Sequence, residues 1–222
     1  MQRMSARSPG KTGGFTLVEV LVAMVVMAIM SLMAWQGVDG IARTRESNQI
    51  RLEQMLRLET VIEQWDQDLA ALQETTAVPT LSCDGQSVRL IRRAEGGLQV
   101  VAWSLRPDRQ SSVWERWAGP AVTTTRGLQD SWLRTQQFQG NETGQLRALT
   151  GIEDWHVYFF QGNAWANCQS TGDIAIATPV SASSPASGVA RTVLPSGVRV
   201  VLAFAPGSGL AGSLVRDTLI AP

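Results

Sequence analysis

The residues of this chain that could carry chemistry are few and widely spaced. One carboxylate, Glu19, stands inside an otherwise apolar run from Phe15 to near Trp35, and two cysteines, Cys83 and Cys168, and a single histidine, His156, lie well beyond it. A charge inside an apolar run of membrane length is expensive and usually functional. The helix dipole favours a negative charge about one turn into such a run, but it does not offset burial in lipid, so Glu19 needs a positive partner. Hydrolytic chemistry finds little support. His156 alternates with Trp155 and Val157 without a nucleophile pattern nearby, and no G-x-S-x-G elbow occurs. A Ser–Lys pair would need a lysine, and the only one, Lys11, lies before the apolar run. Glu153-Asp154 reads as a pair of solvated turn residues rather than an acid/base couple. One histidine and no C-x-x-C spacing make a poor metal site. No catalytic residue, metal ligand or cofactor is expected.

The element that positions Glu19 is a helix. Phe15 to Trp35 would be roughly 30 Å long as an α-helix, enough to cross a bilayer core. Before it stand Arg3, Arg7 and Lys11 with no acidic residue. That charge places the N-terminus in the cytoplasm, although Arg43 and Arg45, accompanied by Asp39 and Glu46, soften the contrast. A removable secretory signal would have a shorter apolar run and a small-x-small site after it, and only Leu32-x-Ala34 comes near. An ordinary signal anchor with a stray glutamate is the plainer alternative. Gly10-Lys11-Thr12 matches the tail of a phosphate-binding loop, but Ser5 replaces its first glycine and no strand precedes it.

Beyond the membrane length, Gly37 and Gly40 mark a place where a bend costs little. Leu52, Met55, Leu58, Ile62, Trp65, Leu69 and Leu72 then step by three or four residues, one stripe of an amphipathic helix. Arg51, Glu53, Arg57, Glu59, Glu63, Asp66 and Asp68 are placed on its wet side. The stripe needs a cover, either the sheet that follows or, as a short coiled coil, another chain. Val78-Pro79 closes the helical region. From about residue 80 the period becomes two. Val88–Arg92 and Leu98–Trp103 form a hairpin across Glu95-Gly96-Gly97. Val113–Trp117, Trp132–Phe138, Gln145–Leu149 and Trp155–Phe160 read as further extended segments. Thr178–Ala190, rich in Ser, Ala, Pro and Val, reads as a loop. Val198–Phe204 and Ser213–Ile220 form a closing hairpin.

The stretch Gly14-Phe15-Thr16-Leu17-Val18-Glu19, with the basic leader before it and the apolar run after it, resembles the N-terminus of type IV prepilins and of type II secretion pseudopilins. Asp39 to Glu46, Leu56 to Leu69, Ile152 through Trp165 and Leu194 to Arg199 are similar to the J type of minor pseudopilin. The resemblance implies an α+β, pilin-like fold: a long N-terminal transmembrane and amphipathic helix followed by an antiparallel β-sheet domain. It implies a cleaved leader over 1–14, a membrane-spanning part over 15–36, a periplasmic part of the helix over 37–78 and a periplasmic β-rich domain over 79–222. A prepilin peptidase would cut between Gly14 and Phe15, the amine of Phe15 would be N-methylated, and Glu19 would set assembly register by pairing with the terminal amine of a neighbouring subunit.

The implied function is a minor pseudopilin in the tip complex that initiates the periplasmic pseudopilus and supports export of folded proteins across the outer membrane. Implied partners are other minor pseudopilins, the major pseudopilin, the peptidase, and an assembly platform in the bacterial inner membrane. The chain would cross that membrane once, with its N-terminus cytoplasmic and its C-terminal domain periplasmic. The same N-terminus would also serve a minor pilin of a type IV pilus, in assembly, adhesion or DNA uptake. A membrane-anchored periplasmic binding module is a third reading, for which an exposed group among the eight tryptophans would be needed. Nucleic acid is not indicated, since removing the leader's three basic side chains leaves about 16 against 19 acidic ones. In an oxidising periplasm Cys83 and Cys168 can bridge, closing a loop that stabilises by roughly 4–5 kcal/mol in the chain-entropy model. Two separate buried thiols are the alternative.

Overall fold

The structure is a computed structural model that describes residues 14–109, 111–138, 142–170 and 194–220. The leader before Gly14 and the loop read over Thr178–Ala190 lie outside the described residues. The chain divides into two compact units, Met1–Ile50 and Arg51–Pro222. A single helix, α1 (Leu17–Ala70), contributes to both. No proline interrupts the sequence between Phe15 and Val78, and the helix runs through Gly37 and Gly40 without a break.

Among the described residues of the second unit, eight strands form one antiparallel sheet: β1 (Leu81–Cys83), β2 (Ser87–Ala94), β3 (Gly97–Asp108), β4 (Ser111–Ala118), β5 (Gln145–Gln161), β6 (Ala164–Asn167), β7 (Gly197–Phe204) and β8 (Ser213–Leu219). Their order is β1-β2-β3-β4-β5-β7-β8, with β6 also paired to β5. The expected hairpin is present as the β2–β3 turn, where Ala94 pairs with Gly97 and Gly96 takes φ +88°, a conformation that favours glycine.

The C-terminal turns of α1 lie on one face of this sheet. Val61, Trp65 and Leu69 join strand residues such as Val88, Val101, Ile152, Val200 and Leu202 in the main core. At its centre Trp65, Trp103 and Trp114 meet with ring centroids 4.4–5.6 Å apart, and Trp155 extends the cluster 6.0 Å from Trp114. On the opposite face, a second helix, α2 (Thr125–Thr135), covers β2–β4 by packing Leu128 and Trp132 against Ile91, Val100, Ala102 and Trp117. Most of the tryptophans are therefore packing residues.

Three expectations need correction. The helix stops at Ala70, short of Val78, because the backbone after it is captured by the sheet: Arg93 N–H donates to Ala71 and Gln73 N–H to Ile91. Trp132–Phe138 is not extended. Its first half belongs to α2, which is capped by Thr124 through a bond from the Gly127 N–H, and Trp132 follows Leu128 at helical spacing. Gln145–Leu149 and Trp155–Phe160 are parts of one strand, β5, which passes from β4 to β7 with Ile152 paired to both. The ladder irregularities around Ile152 hid that continuity.

Candidate functional site

At the N-terminal end, Gly14, Phe15 and Thr16 precede the first helical residue, and Phe15 is 82% exposed. Glu19 is in the first turn. Its N–H reaches the Thr16 carbonyl at 3.0 Å and, at 3.4 Å, the Thr16 hydroxyl. Thr16-Leu17-Val18-Glu19 thus has the pattern of a capping box, with a threonine at the cap and an acid three residues on. That signal is legible in the sequence. The Glu19 side chain itself is exposed, as are the apolar residues from Leu17 to Met33. Among the described residues, α1 is the one helix long and apolar enough to cross a membrane. An apolar surface of that length has no place in water, so the geometry fits a single-pass membrane anchor.

Within the second unit the amphipathic stripe is buried only in part. Leu58, Ile62 and Leu72 pack on the core, whereas Leu52 and Met55 remain exposed. Two residues assigned to the wet side behave otherwise. Asp68 is fully buried. It accepts from Arg116 Nε at 2.7 Å and Nη2 at 2.8 Å, from Arg92 Nη1 at 2.5 Å, from the Trp103 indole N–H at 2.9 Å and from Gln64 at 3.2 Å. One carboxylate thus ties the end of α1 to β2, β3 and β4. A buried charge survives only with such partners. The sequence carried a clue, since Asp68 is three residues beyond Trp65 and adjoins Leu69 on the buried face.

Asp66 makes the complementary tie to the far side of the sheet. It accepts from Arg216 at 2.6 and 2.9 Å and from the Thr218 hydroxyl at 2.6 Å, both on β8. Hydrogen bonding to Asp66 and its charge hold the Arg216 guanidinium above its ordinary pKa. Earlier in the helix, Arg57 donates to the carbonyls of Arg147 and Ala148 on β5. Gln54 lies against the β7–β8 turn, where a Cβ on Gly209 would fall 1.7 Å from its side-chain oxygen. The helix is therefore fixed to the sheet by directional polar contacts as well as by tryptophan packing.

Cys83 and Cys168 are bonded across a sequence separation of 85 residues, joining β1 to the end of β6. Beside this bridge is a cleft of about 500 Å³ lined by Gly85, Gln86, Ser112, Trp155, His156 and Gln169, among others. His156 pairs with Asp154 at 3.1 Å. Ser112 is in register with Ile152, four residues from His156, roughly 13 Å along the strand and too far for a nucleophile–base bond. Trp155 is buried there with its indole N–H donated to Gly85, so it offers no open aromatic face. Trp165 is half-buried, with the Arg199 guanidinium 4.2 Å from its ring. Trp35 is exposed at the end of the apolar run.

Comparison with known proteins fits this geometry. Residues 10–35 match the family described as the prokaryotic N-terminal methylation motif. A relative, "Type II secretion system protein J" of Vibrio cholerae serotype O1 (strain ATCC 39315 / El Tor Inaba N16961), is 26% identical over 172 residues, covering 69% of this chain and 72% of that protein. The motif and the similarity together support a pseudopilin of the J type.

Proposed function

We propose that this chain is a minor pseudopilin of a type II secretion system, part of the tip complex that initiates the periplasmic pseudopilus and supports export of folded proteins. The observation that carries the reading is the methylation motif over residues 10–35, followed by similarity to a secretion-system J protein across most of the chain. A type IV pilus subunit is not better supported. In this reading a prepilin peptidase removes residues 1–14 by cutting between Gly14 and Phe15, and the new amine of Phe15 is methylated. Residues 15–36 span the inner membrane, the helix continues to Ala70 on the periplasmic side, and 79–222 form the periplasmic domain. The chain acts by assembly rather than by catalysis. Its partners are the other minor pseudopilins, the major pseudopilin and the inner-membrane assembly platform.

Glu19 is the register element. Unpaired, it costs a few kcal/mol at that depth. A neighbour's terminal amine, with an unperturbed pKa of about 8, is largely cationic and pairs with it only when the two helices are staggered correctly. The deciding experiment deletes the gene in its own host and measures secreted protein in the medium. Export should fall and be restored by the wild-type gene, but not by Gly14→Phe, whose precursor should stay uncut. Normal export from the deletion strain would overturn the reading.

A further inference from the structure

The two halves of the cysteine bridge are unlike. Cys83 ends β1, a three-residue strand at one end of the sheet, and is half-buried. Cys168 follows β6 and is 3% exposed. Its N–H donates to the Val157 carbonyl at 3.0 Å, which carries the β5–β6 ladder across it. Gln161 pairs with Ala164 across Gly162 and Asn163, both at positive φ, so that hairpin closes locally. On the Cys83 side, β1 to β4 are successive antiparallel neighbours and pair without β5 or β6. The turn after Cys83 then receives the later segment. The Gln169 amide donates to the Asp84 carbonyl and the Trp155 indole N–H to the Gly85 carbonyl, each at 3.0 Å. These contacts set Cys168 beside Cys83. Rates decide how the bond is made. The bridge spans 85 residues, so at synthesis rates of about 5–20 residues per second Cys83 is delivered about 4–17 s before Cys168. Hairpins form in about 1–10 μs and β-rich domains in milliseconds to seconds, whereas uncatalysed disulfide exchange takes minutes to hours. Cys83 thus waits as a lone accessible thiol, and Cys168 is covered as its hairpin docks, too soon for an uncatalysed oxidation to reach it.

We infer that Cys83 is the attacking cysteine and Cys168 the resolving one in an exchange with a periplasmic thiol oxidase, a protein that carries an oxidised dithiol. This rests on the periplasmic topology proposed above. The Cys83 thiolate attacks one sulfur of the oxidase disulfide, forms a mixed disulfide and releases the second oxidase sulfur as a thiolate. The Cys168 thiolate then attacks the Cys83 sulfur, closing the bridge and expelling the first oxidase sulfur. Two electrons pass to the oxidase, and the two protons lost by the cysteines end on its dithiol.

The test expresses the full-length chain in its own host, quenches cells with acid, alkylates free thiols with N-ethylmaleimide and resolves membrane protein without reductant. Cys168→Ser should accumulate a reductant-sensitive adduct with a second protein, and Cys83→Ser should lose it. Pulse labelling of the wild-type chain, which does not depend on how either variant folds, should show the same adduct transiently, and mass spectrometry should place its linkage at Cys83. A wild-type adduct linked through Cys168, or an adduct as abundant in Cys83→Ser as in Cys168→Ser, would overturn the assignment while leaving the functional reading intact. A bridge that closes at the wild-type rate in a strain lacking its periplasmic thiol oxidases would overturn the choice of oxidant. A wild-type chain whose two thiols stay free throughout would overturn both the exchange and the periplasmic placement on which it rests.

Discussion

Replacing Asp68 by alanine should be among the most damaging single changes in the second unit. The carboxylate is fully buried and accepts from two arginines, an indole and an amide. Alanine would leave Arg92 and Arg116 facing a void without a counter-charge. Breaking a buried ion pair from one side costs about 3–5 kcal/mol. Arg92 keeps 23% of its side-chain surface exposed and Arg116 14%, so both can recover some hydration, which points to the lower part of that range. Trp103 loses its indole partner as well, worth about 1–3 kcal/mol for a buried donor left unsatisfied. For a folded unit of this size, about 3 kcal/mol corresponds to roughly 6–12 °C in Tm. The assay is urea unfolding of the full chain in detergent, followed by tryptophan fluorescence, which the clustered Trp65, Trp103 and Trp114 make sensitive to helix detachment. Trp103→Phe is the companion variant and should cost about 1–2 kcal/mol, because it removes one bond and leaves the ion pairs. A loss below about 1 kcal/mol for Asp68→Ala, the level of an exposed pair, would refute the view that this carboxylate anchors the helix to the sheet.

Other outcomes follow from the same contacts. Glu19→Ala and Glu19→Val should insert and be cleaved normally but recover fewer partner pseudopilins and lower secretion; wild-type recovery and secretion would remove Glu19 from the register role. Non-reducing peptide mapping should find Cys83 linked to Cys168, and Cys83→Ser with Cys168→Ser should lose up to about 4–5 kcal/mol in the same unfolding assay. Intact-mass analysis of protein from its native membrane should give a chain that begins at Phe15 with one added methyl group, and a mass that includes Met1 would contradict it. Hydrogen bonding and charge from Arg199 depress the Asp217 carboxyl. Its contribution to stability is therefore present above the ordinary aspartate value of about 3.9 and is lost as pH falls further, through the depressed value. Asp217→Asn should flatten the acid limb of the stability curve; an unchanged limb would show that the pair is fully screened.

The membrane-length helix and the antiparallel domain were legible because each rests on one uniform pattern, a long apolar run and a period of two. Glu19 stood out for the same reason, as a break in uniformity. The failures fall where tertiary contacts overrule local pattern. Asp68 counts as hydrophilic in any stripe, and only the convergence of Arg92, Trp103 and Arg116 from three strands makes its burial tolerable. The helix end at Ala70 is set by β2 accepting the following backbone, which no capping residue announces. Leu52 and Met55 continue the stripe in sequence but lie beyond the sheet's cover. Trp132–Phe138 is apolar at its ends and short, which leaves helix and strand indistinguishable until Leu128 is seen facing Trp117's side of the sheet.

The pairing of Asp66 with Arg216 and Thr218 joins parts of the chain 150 and 152 residues apart. Such contacts form late, because a long loop must close before they contribute. Under the proposed topology the helix emerges from the membrane before β8, with the whole of the cysteine loop delivered between them. Until β8 arrives, one flank of α1 has no cover and Asp66 has no counter-charge. The contact between α1 and β8 is thus completed only after the intervening strands and the cysteine loop have been delivered. A chain truncated before β8 would present an unsealed helix and an exposed β7 edge, a surface open to non-native strand pairing.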